Sequence, residues 1–189
     1  MLSKTQQQTY LKFLGYYKGE IDGIEGPLHK AAILKLQKDH FTREEDIDGL
    51  YGPDTDILLI NAYRVKKYTK NFTLKEFKCD CGGLCTGYPE ILNIQLLKNT
   101  QSVRTKFGST TITSGLRCKK YNARLVGSSP TSRHLKGKAL DIYLFKTRTL
   151  AGRKEVMTYW KKLPKYNYTY CNVNGSHPNM GNAVHVDVD

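Results

Sequence analysis

The sequence predicts an α+β protein: a three-helix module ahead of a domain whose small, mainly antiparallel sheet is flanked by helices. Three observations carry this. A two-glycine turn motif is duplicated early in the chain, and the charge balance breaks near the middle. The second half then mixes helices and short strands without the regular βαβ rhythm of a parallel sheet.

The first helix is expected near residues 4–14, where Tyr10, Leu11, Phe13 and Leu14 supply the apolar positions. Ile21-Asp22-Gly23-Ile24-Glu25-Gly26-Pro27 follows and recurs as Ile47-Asp48-Gly49-Leu50-Tyr51-Gly52-Pro53. Each copy reads as a turn whose glycines accept positive φ, and each ends in a proline suited to the first turn of a helix. Helical periodicity follows both, through Ala31, Ile33, Leu34 and Leu36, then Ile57, Leu58 and Ile60. This helical module is assigned to residues 1–66 and a basic linker to residues 67–71.

The second domain is assigned to residues 72–189. Thr73 and Glu76 have capping-box spacing, and Cys79-Asp-Cys81-Gly-Gly-Leu-Cys85 reads as a tight loop. A helix is expected from Pro89 to Gly108, with Leu92, Leu96, Val103 and Phe107 on one face. Strands are expected at residues 110–114, 139–145, 166–173 and 183–189. Helices are expected around 121–126 and over 150–163.

The chain carries a formal net charge of +13. Residues 1–66 hold 9 Lys+Arg against 10 Asp+Glu, while the remaining 123 residues hold 21 against 7. A surplus so concentrated favours a polyanionic partner. No helix-turn-helix, zinc-finger or RNA-binding signature accompanies it, so nucleic acid is not the expected partner. No stretch approaches the ~20 apolar residues of a membrane span, and stable membrane association is not expected. The opening segment lacks an apolar run of signal-peptide length, so synthesis in the cytoplasm without a signal peptide is expected.

The second half has few residues suited to catalysis: His134, His177 and His185, with seven acids. Asp141 lies within the apolar strand Ala139-Leu140-Asp141-Ile142-Tyr143, where an acid is costly unless paired or bound to a metal. In Ala183-Val184-His185-Val186-Asp187-Val188-Asp189, alternation puts His185, Asp187 and Asp189 on one face and three valines on the other. Two imidazoles and a carboxylate, with one position left for water, form a known catalytic zinc arrangement. A structural His–Asp hydrogen bond fits that spacing equally well.

Two resemblances sharpen this reading. Leu14-Gly15-Tyr16-Tyr17, the two D-G-x-x-G-P turns and Leu36-Gln37 resemble the small peptidoglycan-binding domain of wall hydrolases. Leu28-His29-Lys30 departs from that family's usual Thr after the Pro. Ser114-Gly115-Leu116-Arg117, then Ser132-Arg133-His134-Leu135-Lys136-Gly137-Lys138-Ala139-Leu140-Asp141, then His185-Val186-Asp187, closely resemble the zinc D-Ala-D-Ala peptidases. Those enzymes share a fold with hedgehog proteins. The resemblance implies one catalytic zinc on His134, Asp141 and His185, with Arg117 facing the scissile carbonyl and Ser114 and Ser132 beside the substrate. Its implied partner is bacterial peptidoglycan, and the surplus of positive charge adds anionic wall polymers as a second expected partner. The combination of modules resembles a bacteriophage endolysin, which implies an endopeptidase acting on stem peptides. A D-Ala-D-Ala carboxypeptidase and a non-catalytic wall-binding protein are the alternatives.

The general base is the weak point of the match. Many relatives carry an acid three residues before the last histidine ligand, where this chain has Asn182, and others a His two before, where it has Ala183. Asp187 is the favoured substitute and His177 the other. Asp187 could instead orient a ligand, or exchange roles with His185. The cysteines Cys79, Cys81, Cys85 and Cys118 do not match the common CxxC zinc knuckle. Buried free thiols or one disulfide are expected there in preference to a second metal.

Overall fold

A computed structural model describes residues 1–189. Helix α1 (Lys4–Leu14) opens with a capping box between Ser3 and Gln6 and closes on Gly15 in the left-handed region. Helices α2 (Pro27–His40) and α3 (Pro53–Tyr68) each carry their proline at the first turn after an extended glycine. The duplicated turns are held in the same way. In the first, Gln8 accepts from the Gly23 N–H (2.8 Å) and donates to Asp22 (2.7 Å) and the Ile24 carbonyl (3.0 Å). In the second, Gln37 accepts from Gly49 (2.7 Å) and donates to Asp48 and the Leu50 carbonyl, both at 3.0 Å. Gly23 and Gly49 share a φ of 73°, a conformation costly for a residue with a Cβ. The sequence repeat is thus a structural repeat: a helix-borne glutamine clamps each turn and sets the start of the next helix.

The linker expected at 67–71 begins inside a helix, because α3 continues through Tyr68. Thr69 is buried and donates to the Val65 carbonyl (2.8 Å), and Gln101 receives the Lys70 and Asn71 N–H groups. The segment is therefore fastened to both sides. The helix expected from Pro89 starts instead at Ile94, giving α4 (Ile94–Phe107) with Asn93 as its cap. Residues 90–92 stay outside the helix because α3 holds them. Asn61 donates to the Glu90 carbonyl (2.9 Å) and accepts from Leu92 N (2.8 Å), and Arg64 donates to the Leu92 carbonyl (2.7 Å).

Beyond α4 come β1 (Thr110–Ser114), the single turn α5 (Lys119–Asn122), β2 (Ala139–Leu144), α6 (Leu150–Trp160), β3 (Tyr166–Cys171) and β4 (Val184–Val188). The strands form one antiparallel sheet in the order β1-β2-β4-β3. Helices α4 and α6 pack on it, where Val184, Val186 and Val188 are fully buried. A continuous apolar cluster runs from Leu11, Ile33 and Leu58 through Phe77 and Leu96 to Trp160 and Val188. No helix is long and apolar enough to cross a membrane.

Candidate metal centre

Register assembles the site. Asp141 on β2 sits opposite His185 on β4, and His185 sits opposite Tyr170 on β3. On the far side a register shift in β1 sets Ser114 opposite Asp141. Four side chains from four strands therefore form one row on the face away from α4 and α6. His134 joins the row from a 3-10 turn, Arg133–Lys136, that ends on Gly137 at φ 62°. A Cβ on Gly137 would run into the Ile91 carbonyl oxygen, so only glycine lets this turn pack so closely.

The His134 Nδ1 lies 2.7 Å from the Gly115 carbonyl oxygen. A carbonyl only accepts, so Nδ1 carries the proton and Nε2 presents its lone pair. That Nε2 is buried and has no hydrogen-bond partner. It stands 3.5 Å from Asp141 Oδ1, and with no proton on either atom this separation is not a hydrogen bond. The same Oδ1 is 2.8 Å from His185 Nδ1, while Oδ2 accepts from Arg117 Nη2 at 2.7 Å. The donor atoms of His134, Asp141 and His185 all lie within 4.8 Å of one another. A buried lone pair aimed at a carboxylate is unfavourable by itself. Together with that oxygen and a second imidazole it matches the donor set of a divalent metal.

Titration follows the same geometry. Burial pushes the His134 imidazole down and keeps it neutral. Burial also opposes charge on His185, but its hydrogen bonds to Asp141 and Asp187 outweigh this and raise it. Burial alone would raise Asp141, yet its hydrogen bond with the His185 imidazole holds it well below the usual carboxylate range.

Arg117 donates from Nε and Nη2 to Ser114 Oγ at 2.9 and 2.8 Å besides its bond to Asp141. It is thus first a clamp on the carboxylate. Ser114, Arg117, Ser132, His134, Asp141, His177 and His185 all line one groove of about 1070 Å³. Asp187 does not line it. Its Oδ2 meets His185 Nε2 at 3.3 Å, and its Oδ1 accepts from Asn167 Nδ2 (2.8 Å) and Tyr168 N (2.7 Å). The cause is an irregularity of β3 between Tyr166 and Thr169, which turns a free N–H toward Asp187. The alternation of β4 is as expected, but Asp187 stands behind His185 and not beside the reacting space. Asp189, expected on the same polar face, pairs with Arg133 at the end of the strand.

Tyr170 escaped the sequence reading. Its ring stacks on His185 with centroids 4.6 Å apart, and His177 packs on Tyr170, also at 4.6 Å. Only the β3–β4 register could have singled it out among 13 tyrosines. Asn182, at the position where relatives carry an acid, accepts from Arg153 (2.9 Å).

The site is thus an open groove over two imidazoles and a carboxylate. A family model described as Peptidase M15 matches residues 70–174, and the chain belongs to that family. A second model, for a peptidoglycan-binding domain, matches residues 5–55. No curated protein matches the chain. His185 and Asp187 lie beyond the matched segment, so their roles rest on the geometry above.

Proposed function

We propose that the chain is a zinc-dependent peptidase that cleaves peptidoglycan stem peptides, acting as an endopeptidase in the manner of an endolysin. The buried, unpartnered Nε2 of His134 beside Asp141 and His185 Nδ1 carries this reading. His134, Asp141 and His185 would hold the metal. Zinc in such a site supplies Lewis acidity, acidifying water and polarising the scissile carbonyl.

The chain's own residues account for the rest. Asp141 is kept ionised by the His185 imidazole and oriented by Arg117. Arg117 reaches Asp141 through Nη2 and is itself held on Ser114 Oγ through Nε and Nη2, leaving Nη1 for the developing oxyanion. Asp187 accepts from His185 Nε2 and so fixes which His185 nitrogen faces the centre. His177 is the proton acceptor. Asp141 is the one carboxylate of the groove and belongs to the metal set, as do the other two imidazoles. His177 then hands the proton to the leaving amine. This assignment replaces Asp187, the residue favoured from sequence.

A groove of about 1070 Å³ exceeds what most small-molecule sites enclose and suits a peptide running through it. Arg124 also lines the groove; a cation of this kind is what a carboxypeptidase needs for a terminal carboxylate. Mass spectrometry of digests of a defined peptidoglycan separates the two. Severed stem peptides with D-Ala retained support the endopeptidase, and release of free D-Ala alone supports the carboxypeptidase. No cleavage with zinc present contradicts both and leaves a wall-binding protein.

A further inference from the structure

Away from the groove, the structure gathers four of the five cysteines. Cys79, Cys81 and Cys85 come from the loop after the 3-10 turn Leu74–Phe77, and Cys118 comes from the start of α5. All four are free thiols, and their sulfurs lie within 4.8 Å of one another. The Cys81 and Cys85 sulfurs are 3.5 Å apart. A tetrahedral zinc thiolate site, with Zn–S near ~2.3 Å, needs sulfurs about 3.8 Å apart. The observed cluster brackets that spacing.

The surrounding backbone is arranged for thiolates. Cys118 N points at Cys79 Sγ (3.2 Å), Gly87 N at Cys85 Sγ (3.4 Å) and Tyr121 N at Cys118 Sγ (3.4 Å). Three of the four sulfurs thus accept a backbone N–H. A neutral thiol is a poor acceptor and gains little from this, whereas a thiolate beside a cation gains a charge-assisted bond. Gly82, Gly83 and Gly87 adopt φ of 63°, 91° and 103°, folding the loop back on itself. One disulfide would use only two of four converging sulfurs.

We propose that Cys79, Cys81, Cys85 and Cys118 bind a second, structural zinc ion. Four protein ligands close the coordination shell and leave no position for water or substrate, so the site is structural and not catalytic. Soft thiolates select zinc over magnesium or calcium. The ion would fasten the loop of residues 79–85 to the segment after β1. That segment carries Arg117, next to Cys118, which clamps Asp141. The loop also touches the N-terminal module, where Thr42 donates to the Cys85 carbonyl (3.4 Å). Bound metal would thus brace the Arg117 wall of the groove from behind.

The two proposed centres share no ligand, so one can fail without the other. The full-length protein, reduced and loaded with cobalt(II), should show an intense near-ultraviolet sulfur-to-cobalt charge-transfer band. That band should persist in His134→Ala and vanish in Cys85→Ser and Cys118→Ser. Zinc-loaded protein should release about one equivalent of zinc as an organomercurial titrates its thiols. This titration and the cobalt spectrum of the unmutated protein decide the matter even if the cysteine variants fail to fold. Absence of the band in the reduced wild-type protein, or thiol titration without zinc release, overturns the proposal.

Discussion

At the residue scale, alternation and motif spacing singled out His134, Asp141 and His185, and the structure brings the three together, with Asp141 opposite His185 in the register. Asp187, the base favoured from sequence, sits outside the groove for a physical reason. Alternation says which face of a strand a side chain takes but not what the neighbouring strand offers it. Here the irregularity in β3 offers the Tyr168 N–H, and Asp187 accepts it at 2.7 Å. The two roles make different predictions. His177→Ala should keep zinc and fold while kcat falls roughly 10²–10⁴-fold, the usual range for loss of a general base. Asp187→Asn should weaken zinc affinity by about 10–100-fold, as expected for a residue supporting a ligand, with activity largely restored at saturating zinc. Zinc content and turnover measured together on both variants check this. A zinc-replete Asp187→Asn protein with the larger loss of kcat would return the base to Asp187.

At the element scale, the duplicated D-G-x-x-G-P turns were visible in the sequence, but their glutamine clamps were not. Gln8 and Gln37 lie 15 and 12 residues before the glycines that they hold, too far for a local pattern. Gln37→Leu should leave Gly49 N–H and the groups around Asp48 without their buried partner. The expected loss is on the order of 2–3 kcal/mol, measurable by denaturant unfolding. The helix expected at Pro89 failed similarly, because Asn61 and Arg64 of α3 hold residues 90–92 out of the helix.

The same module should be acid-sensitive. His29 is buried, 1% exposed, and neither ring nitrogen has a hydrogen-bond partner. Burial lowers its pKa below the ordinary 6.5, with Lys4 adding to the effect and Glu25 and Asp22 opposing it. The unfolded chain therefore binds a proton that the folded one refuses, and stability falls as pH drops below about 6.5 toward the lower folded value. Thermal unfolding between pH 7 and 5 should show this decline, and His29→Leu should make it shallower. An unchanged slope in the variant would contradict the assignment.

At the scale of the whole molecule, the charge break separated two kinds of surface but gave no hint of how firmly the halves join. The peptidoglycan-binding match ends at residue 55 and the peptidase match begins at residue 70, and between them α3 runs unbroken to Tyr68. Its Asn61 and Arg64 bond to the start of the catalytic half, and the apolar cluster is continuous across both. Calorimetry should accordingly record a single unfolding transition for the full chain. Asn61→Ala, which frees the Glu90 carbonyl and Leu92 N–H, should lower the midpoint of that transition for both halves together. Two independent transitions, with only one moved by the substitution, would show the modules to be uncoupled.

The groove over His134, Asp141 and His185 is proposed to cut peptidoglycan with the help of zinc. Purified full-length protein should be incubated with defined peptidoglycan in three states: zinc-loaded, chelator-treated and His134→Ala. Soluble fragments should then be identified by mass spectrometry. The account predicts cleaved stem peptides from the zinc-loaded protein, none after chelation, recovery when zinc is returned, and none from His134→Ala at any zinc concentration. Undiminished release of the same fragments by metal-free protein or by His134→Ala would contradict it.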